Sequence, residues 1–133
     1  MQSVDTNVLL RAVIDSGDEQ TRLARDLLAG PPQTLHVSLL VVAEFVYVLV
    51  SHYGRSRSQT GAIVRWVLDV DSLDAPRGLI LAALDVFETH PKLSFEDCLI
   101  AGEAQARDAC PLWTFDAKLA KQHPAARLVA DAR

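Results

Sequence analysis

The chain has 133 residues, half of them hydrophobic and 23% charged, with six Gly, six Pro and two Cys. That length suits one domain burying about two-thirds of the surface its unfolded form exposes, and the composition excludes disorder, collagen-like repeats and a disulfide scaffold. Seventeen acidic against thirteen basic residues give a formal charge of -4, which excludes the broadly basic surface of a typical nucleic-acid binder; a polyanionic partner would need a local basic patch or bound cations.

In chain order, residues 2–5 read as a short first strand, followed by capping oxygens on Asp5, Thr6 and Asn7 and a helix over 8–14. A helix is expected over 18–29, stopping at Gly30-Pro31-Pro32. Leu35 to Val37 reads as a strand, and Ser38 as the N-cap of a long helix reaching about Tyr53. Helices over 58–69 and 76–89 flank a minor strand at 71–73. Ser94 opens a helix to Asp108, 110–114 is a strand, 116–123 a short helix and 127–130 an edge strand. Strands separated by helices pair in parallel, so the expectation is a single α/β domain over 1–133 with one sheet of four to five short strands flanked by helices. Ligands of such sheets bind beyond the carboxyl ends of the strands.

The longest apolar run, 35–50, contains His36, Ser38 and Glu44; it falls short of the roughly 20 residues of a membrane span and reads as a buried element. With no leader-like segment at the start, Cys98 and Cys110 are expected to be reduced and the protein cytoplasmic.

Four carboxylates stand at positions that carry chemistry. Asp5 follows the first strand, Asp116 follows Leu112-Trp113-Thr114, Asp97 lies in the first turn after Ser94, and Glu44 is in the middle of the apolar helix. Asp5 and Asp116 also suit helix capping, and Ser94-Phe95-Glu96-Asp97 fits a capping box. Glu44 is not explained by capping. In a helix apolar on every face it needs a cation, a proton, a salt bridge to arginine or a rim position on a cleft. From Asp97 the helical steps lead to Ala101 and Ala104, from Glu96 to Ile100 and Glu103, with Arg107 in pairing distance of Glu103. Asp97 is thus expected to face inward and Glu96 water. If the fold gathers these acids, a hard divalent cation, Mg²⁺ or Mn²⁺, relieves their repulsion. No CxxC or HExxH spacing points to zinc, and the four histidines are scattered.

The ordered set Val4-Asp5-Thr6-Asn7-Val8-Leu9-Leu10, Ser38-x5-Glu44, Leu93 to Ala101 and Leu112-Trp113-Thr114-Phe115-Asp116 resembles the motifs of PIN-domain nucleases across the whole chain. The size is similar to that of VapC-like toxins of bacterial type II toxin–antitoxin pairs. The resemblance implies a PIN-like, Rossmann-like fold and a metal-dependent endoribonuclease, usually dimeric and neutralised by a small antitoxin protein. Asp5, Glu44, Asp97 and Asp116 would then be the catalytic, metal-holding acids, with hydrolysis by a metal-activated water leaving 5′-phosphate and 3′-hydroxyl ends. Thr6, Asn7 and Thr114 would orient carboxylates or a bound water, or else serve turns and caps. Arg11, Arg55, Arg57 and Lys118 would contact RNA phosphates, or else be solvated helix faces. Val64, Trp66, Val67, Leu79, Ile80 and Leu84 would be core, or in part a dimer or antitoxin surface.

Three other readings compete. A haloacid-dehalogenase-type phosphotransferase wants a second Asp where Asn7 stands, and a receiver domain wants paired acids and a strand-end lysine. A non-catalytic α/β interaction module would use the acids only as helix caps.

Overall fold

The computed structural model describes residues 1–30 and 34–132. Pro31 and Pro32, expected to end the second helix, lie outside the described residues. The chain divides into two compact units, Met1–Arg77 and Gly78–Arg133.

In the first unit, β1 (Gln2–Ser3), β2 (Leu35–His36) and β3 (Leu73–Asp74) form a parallel sheet in that order. Ser3, His36 and Asp74 stand abreast at its carboxyl edge. Around it lie α1 (Thr6–Val13), α2 (Glu19–Ala29), α3 (Leu39–Ser51) and α4 (Arg57–Leu68). Each helix starts where a side-chain oxygen takes up an orphan backbone N–H: Asp5 caps α1, Asp18 caps α2, Ser38 caps α3 and Ser56 caps α4. At α4 the reciprocal bond is present too, since the Gln59 side chain accepts from the Ser56 N–H at 3.0 Å. Between α3 and α4 the chain reverses at Gly54, whose φ of 63° is a left-handed value that glycine adopts without strain. The Arg55 N–H closes that turn on the Leu49 carbonyl at 3.0 Å. Leu9, Leu35, Val37, Phe45, Val46, Leu49 and Val64 are all buried.

The second unit holds most of α5 (Arg77–Thr89), then α6 (Phe95–Ala106), β4 (Leu112–Thr114), α7 (Ala117–Gln122) and β5 (Ala126–Leu128), followed by a 3-10 turn over Val129–Asp131. Strands β4 and β5 pair in parallel, with Trp113 opposite Arg127. Phe87 of α5 meets Phe95 of α6 edge to face, 5.6 Å between centroids. Ile80, Leu84, Leu93, Cys98 and Ala101 are buried. Cys98 is buried and Cys110 exposed.

The α/β class and the parallel pairing are as the alternation predicts. The strands number five among the described residues, but they form ladders of three and two rather than one sheet. With two or three residues apiece, these strands give periodicity too little length to assign partners. The minor strand falls at Leu73–Asp74 rather than 71–73, and the last strand at Ala126–Leu128 rather than 127–130.

His123, just after α7, is buried, and its ring Nδ1 accepts the Ala125 N–H at 3.1 Å. Burial, and secondarily the charge of His90, hold its pKa below the usual histidine value. The unfolded chain therefore binds the extra proton more readily, so stability is fully present above about pH 6.5 and falls on acidification below it. Urea midpoints should be level from pH 8 to 7 and drop toward pH 5.5, and His123→Gln should reduce that drop. An unchanged drop in the variant would contradict the assignment.

Candidate metal-dependent nuclease site

Asp5 leaves β1 and caps α1, its Oδ1 accepting the Val8 N–H at 3.2 Å. It lines a depression of about 520 Å³ together with Ser3, Val4, His36 and Ser38, beyond the carboxyl ends of β1 and β2, the place where open parallel sheets receive ligands. His36 stands 3.6 Å from Asp74 on the next strand, a neighbouring acid that the sequence reading passed over. Nothing in the one-letter string sets Asp74 apart from other turn aspartates; only the register with His36 does.

Helix α3 corrects the expectation of an element buried on every face, and Glu44 is exposed on it. Helix α3 is not covered all round: Leu40 is 79% and Tyr47 63% exposed, and Glu44 lies on the same exposed stripe at the i+4 step from Leu40. Water solvates it, so neither a counter-ion nor a proton is required to keep it there.

Asp97 is the third residue of α6, half-buried, with its N–H donated to Ser94 Oγ at 3.1 Å. The expected capping box is only half present, because no bond from the Ser94 N–H to Asp97 accompanies it among the described residues. Glu96 is exposed, whereas Ala101 and Ala104, on the Asp97 face, are buried. Glu103 reaches Arg107 at 3.9 Å.

Asp116 leaves β4 and caps α7. Its Oδ1 accepts the Lys118 N–H at 2.9 Å and the Leu119 N–H at 3.2 Å, and its own N–H is donated to Thr114 Oγ1 at 2.9 Å. Thr114 therefore fixes the backbone that aims this carboxylate. Thr6 is buried in the first turn of α1, and Asn7 is exposed beside it.

Capping and ligation do not compete here. At Asp5 and Asp116 the caps engage Oδ1, and Oδ2 has no hydrogen-bond partner among the described residues. Oxygen-only donors of this kind suit a hard divalent cation. Asp5 and Glu44 belong to the first unit, Asp97 and Asp116 to the second. Among the described residues no three His, Cys, Asp or Glu form a group that could hold a metal ion.

Of the basic residues, Arg11 pairs with Asp18 at 3.4 Å, and Arg55 donates to the Tyr53 carbonyl at 3.1 Å within its own turn. Arg57 opens α4, and Lys118 is exposed in the first turn of α7. Of the apolar residues weighed as a partner surface, Val64, Val67, Ile80 and Leu84 are buried and Leu79 is half-buried; Trp66 is 55% exposed.

Parallel strands, two of them followed by an acid that caps the next helix, define an α/β protein with Asp5 and Asp116 placed where open sheets of this kind receive ligands. The chain belongs to the PIN domain family, whose family model matches residues 3–123. PIN domains are in general metal-dependent nucleases, and the family in general uses divalent metal ions. No curated protein matches the chain closely enough to narrow that assignment. Among the described residues no helix is long and apolar enough to cross a membrane.

Proposed function

We propose that the protein is a Mg²⁺- or Mn²⁺-dependent endoribonuclease of the cytoplasm, working as a single PIN domain and as the toxin of a toxin–antitoxin pair. The observation that carries this reading is the placement of Asp5 and Asp116. Each stands at the carboxyl end of a parallel strand, held by its helix cap through one oxygen with the other left over. The family match supports it by running through both compact units.

Asp5, Glu44, Asp97 and Asp116 are the residues that would hold the ion. When bound, it lowers the pKa of a coordinated water and offsets charge on the phosphate. Thr114 positions Asp116 through the bond from the Asp116 N–H. Lys118, exposed two residues on from Asp116, supplies a cation for the RNA backbone. Arg57 serves the same end from the start of α4, and Arg11 and Arg55 do so on exchanging their present partners.

An antitoxin is the partner proposed for the apolar groove of about 590 Å³ in the first unit, lined by Ala12, Val13, Leu28, Ile63, Trp66 and Val70 among others. A homodimer is proposed as well.

The test is incubation of total RNA with the protein in Mg²⁺, Mn²⁺ or chelator, followed by mapping of the ends. Internal cleavage is expected with either ion, leaving 5′-phosphate and 3′-hydroxyl ends and ceasing in chelator. Cleavage in chelator, or 2′,3′-cyclic phosphate ends, would refute the metal-dependent route.

A further inference from the structure

The residues running into Asp116 alternate in exposure. Leu112, Thr114 and Asp116 are half-buried, whereas Trp113 and Phe115 between them are exposed. Phe115 is 87% exposed and Trp113 44%. Leaving a phenyl ring in water forfeits the burial free energy of a large apolar side chain, and here it does so immediately before a proposed catalytic acid.

The surface is also charged. Arg127, the register partner of Trp113 on β5, holds its guanidinium carbon 5.2 Å from the centre of the Trp113 ring. One of the Arg127 nitrogens donates to the Asp131 carbonyl at 3.3 Å; the guanidinium covers one face of the indole and keeps further donors for phosphate, leaving the other indole face and the Phe115 ring for bases. Aromatic rings interleaved with a cation match single-stranded nucleic acid, whose bases expose π-faces and whose backbone is anionic. A purely apolar protein partner would leave that guanidinium desolvated without a counter-charge.

We propose that Phe115 and the Trp113–Arg127 pair form a stacking platform that holds unpaired bases of the RNA strand next to Asp116. This rests on the nuclease reading and adds to it how the strand is gripped: through base faces, with little dependence on base identity and a requirement for single-stranded substrate. Phe115 is in this sense a substrate-binding residue, and Arg127 contacts the backbone.

The test is binding of a fluorescein-labelled single-stranded RNA octamer, followed by anisotropy with Ca²⁺ in place of Mg²⁺, to wild type, Phe115→Ala and Phe115→Tyr. An octamer of the same length with abasic sites serves as the second probe. Phe115 is so exposed that its truncation leaves folding intact, which a matching melting temperature verifies. Phe115→Ala should raise Kd about tenfold to a hundredfold, Phe115→Tyr should bind as wild type, and the abasic octamer should bind wild type as weakly as the intact octamer binds Phe115→Ala. In a Trp66→Phe variant the remaining Trp113 fluorescence should be quenched by the intact octamer. Equal binding by wild type and Phe115→Ala would overturn the platform and leave the nuclease assignment standing if wild type still cleaves RNA with Mg²⁺. Loss of self-association in Phe115→Ala with RNA binding unchanged would instead mark the patch as a protein contact. Wild type that neither binds nor cleaves RNA would overturn both readings.

Discussion

Replacing Asp5 or Asp116 by asparagine is expected to leave the protein folded and to cut its RNA cleavage by orders of magnitude. Both carboxylates are N-caps, and asparagine caps a helix about as well as aspartate does, so the melting temperature should move by only a few degrees. What asparagine cannot supply is an anionic oxygen, and loss of about 3–4 kcal/mol of transition-state stabilisation is a fall on the order of 10²–10³ in rate. Alanine would confound the two roles by removing the cap as well, at about 1 kcal/mol. The asparagine variants thus separate the catalytic reading from the alternative in which the acids only cap helices. Full cleavage by both, measured on an RNA substrate with saturating Mg²⁺, would mean that these two acids only cap their helices and that the cleavage chemistry lies elsewhere.

The largest effect on stability should come from Phe45→Ala. Phe45 is 1% exposed on the inner side of α3, and truncating a buried aromatic ring costs about 3–5 kcal/mol through lost burial and the cavity left behind. That is a large part of the 5–15 kcal/mol that holds a typical domain together. Leu40→Ser, on the same helix but at a site 79% exposed, should change stability by no more than about 0.5 kcal/mol. Urea midpoints of the two variants give the contrast. Similar losses in both would mean that α3 is covered on every side, as its composition alone suggests.

That contrast shows where the sequence was readable. Residues 39–50 are apolar apart from Glu44, so no periodic signal marks which face is inside, and all-round burial of the helix was inferred from composition where only packing decides it. Caps were legible because they depend on single side chains: Asp5, Ser38, Ser94 and Asp116 all cap the helices they precede, while Asp18, read as the first helical residue, caps α2 instead. Ser56 was passed over because Arg55-Ser56-Arg57-Ser58 looks like a polar loop, although Ser56 and Gln59 have the capping-box spacing found there. In α6 the reverse happened, and Ser94-x-x-Asp97 delivers one of the two bonds its spacing suggests.

The candidate site was legible as a set of acids and not as a surface. Asp5 and Asp116 could be placed at strand ends because a turn and a cap follow each. The exposed Trp113, Phe115 and Arg127 could not, since Leu-Trp-Thr-Phe is mostly apolar and reads as core until β5 is laid beside it. The engagement of Arg11 with Asp18 was likewise invisible, because it joins α1 to the cap of α2.

Titration of Mn²⁺ into metal-free protein, followed by calorimetry, tests most directly whether these acids serve a cation. A saturable heat in wild type that disappears in Asp5→Asn and in Asp116→Asn is the predicted result. The same isotherm in all three proteins, or no heat in wild type, would contradict it.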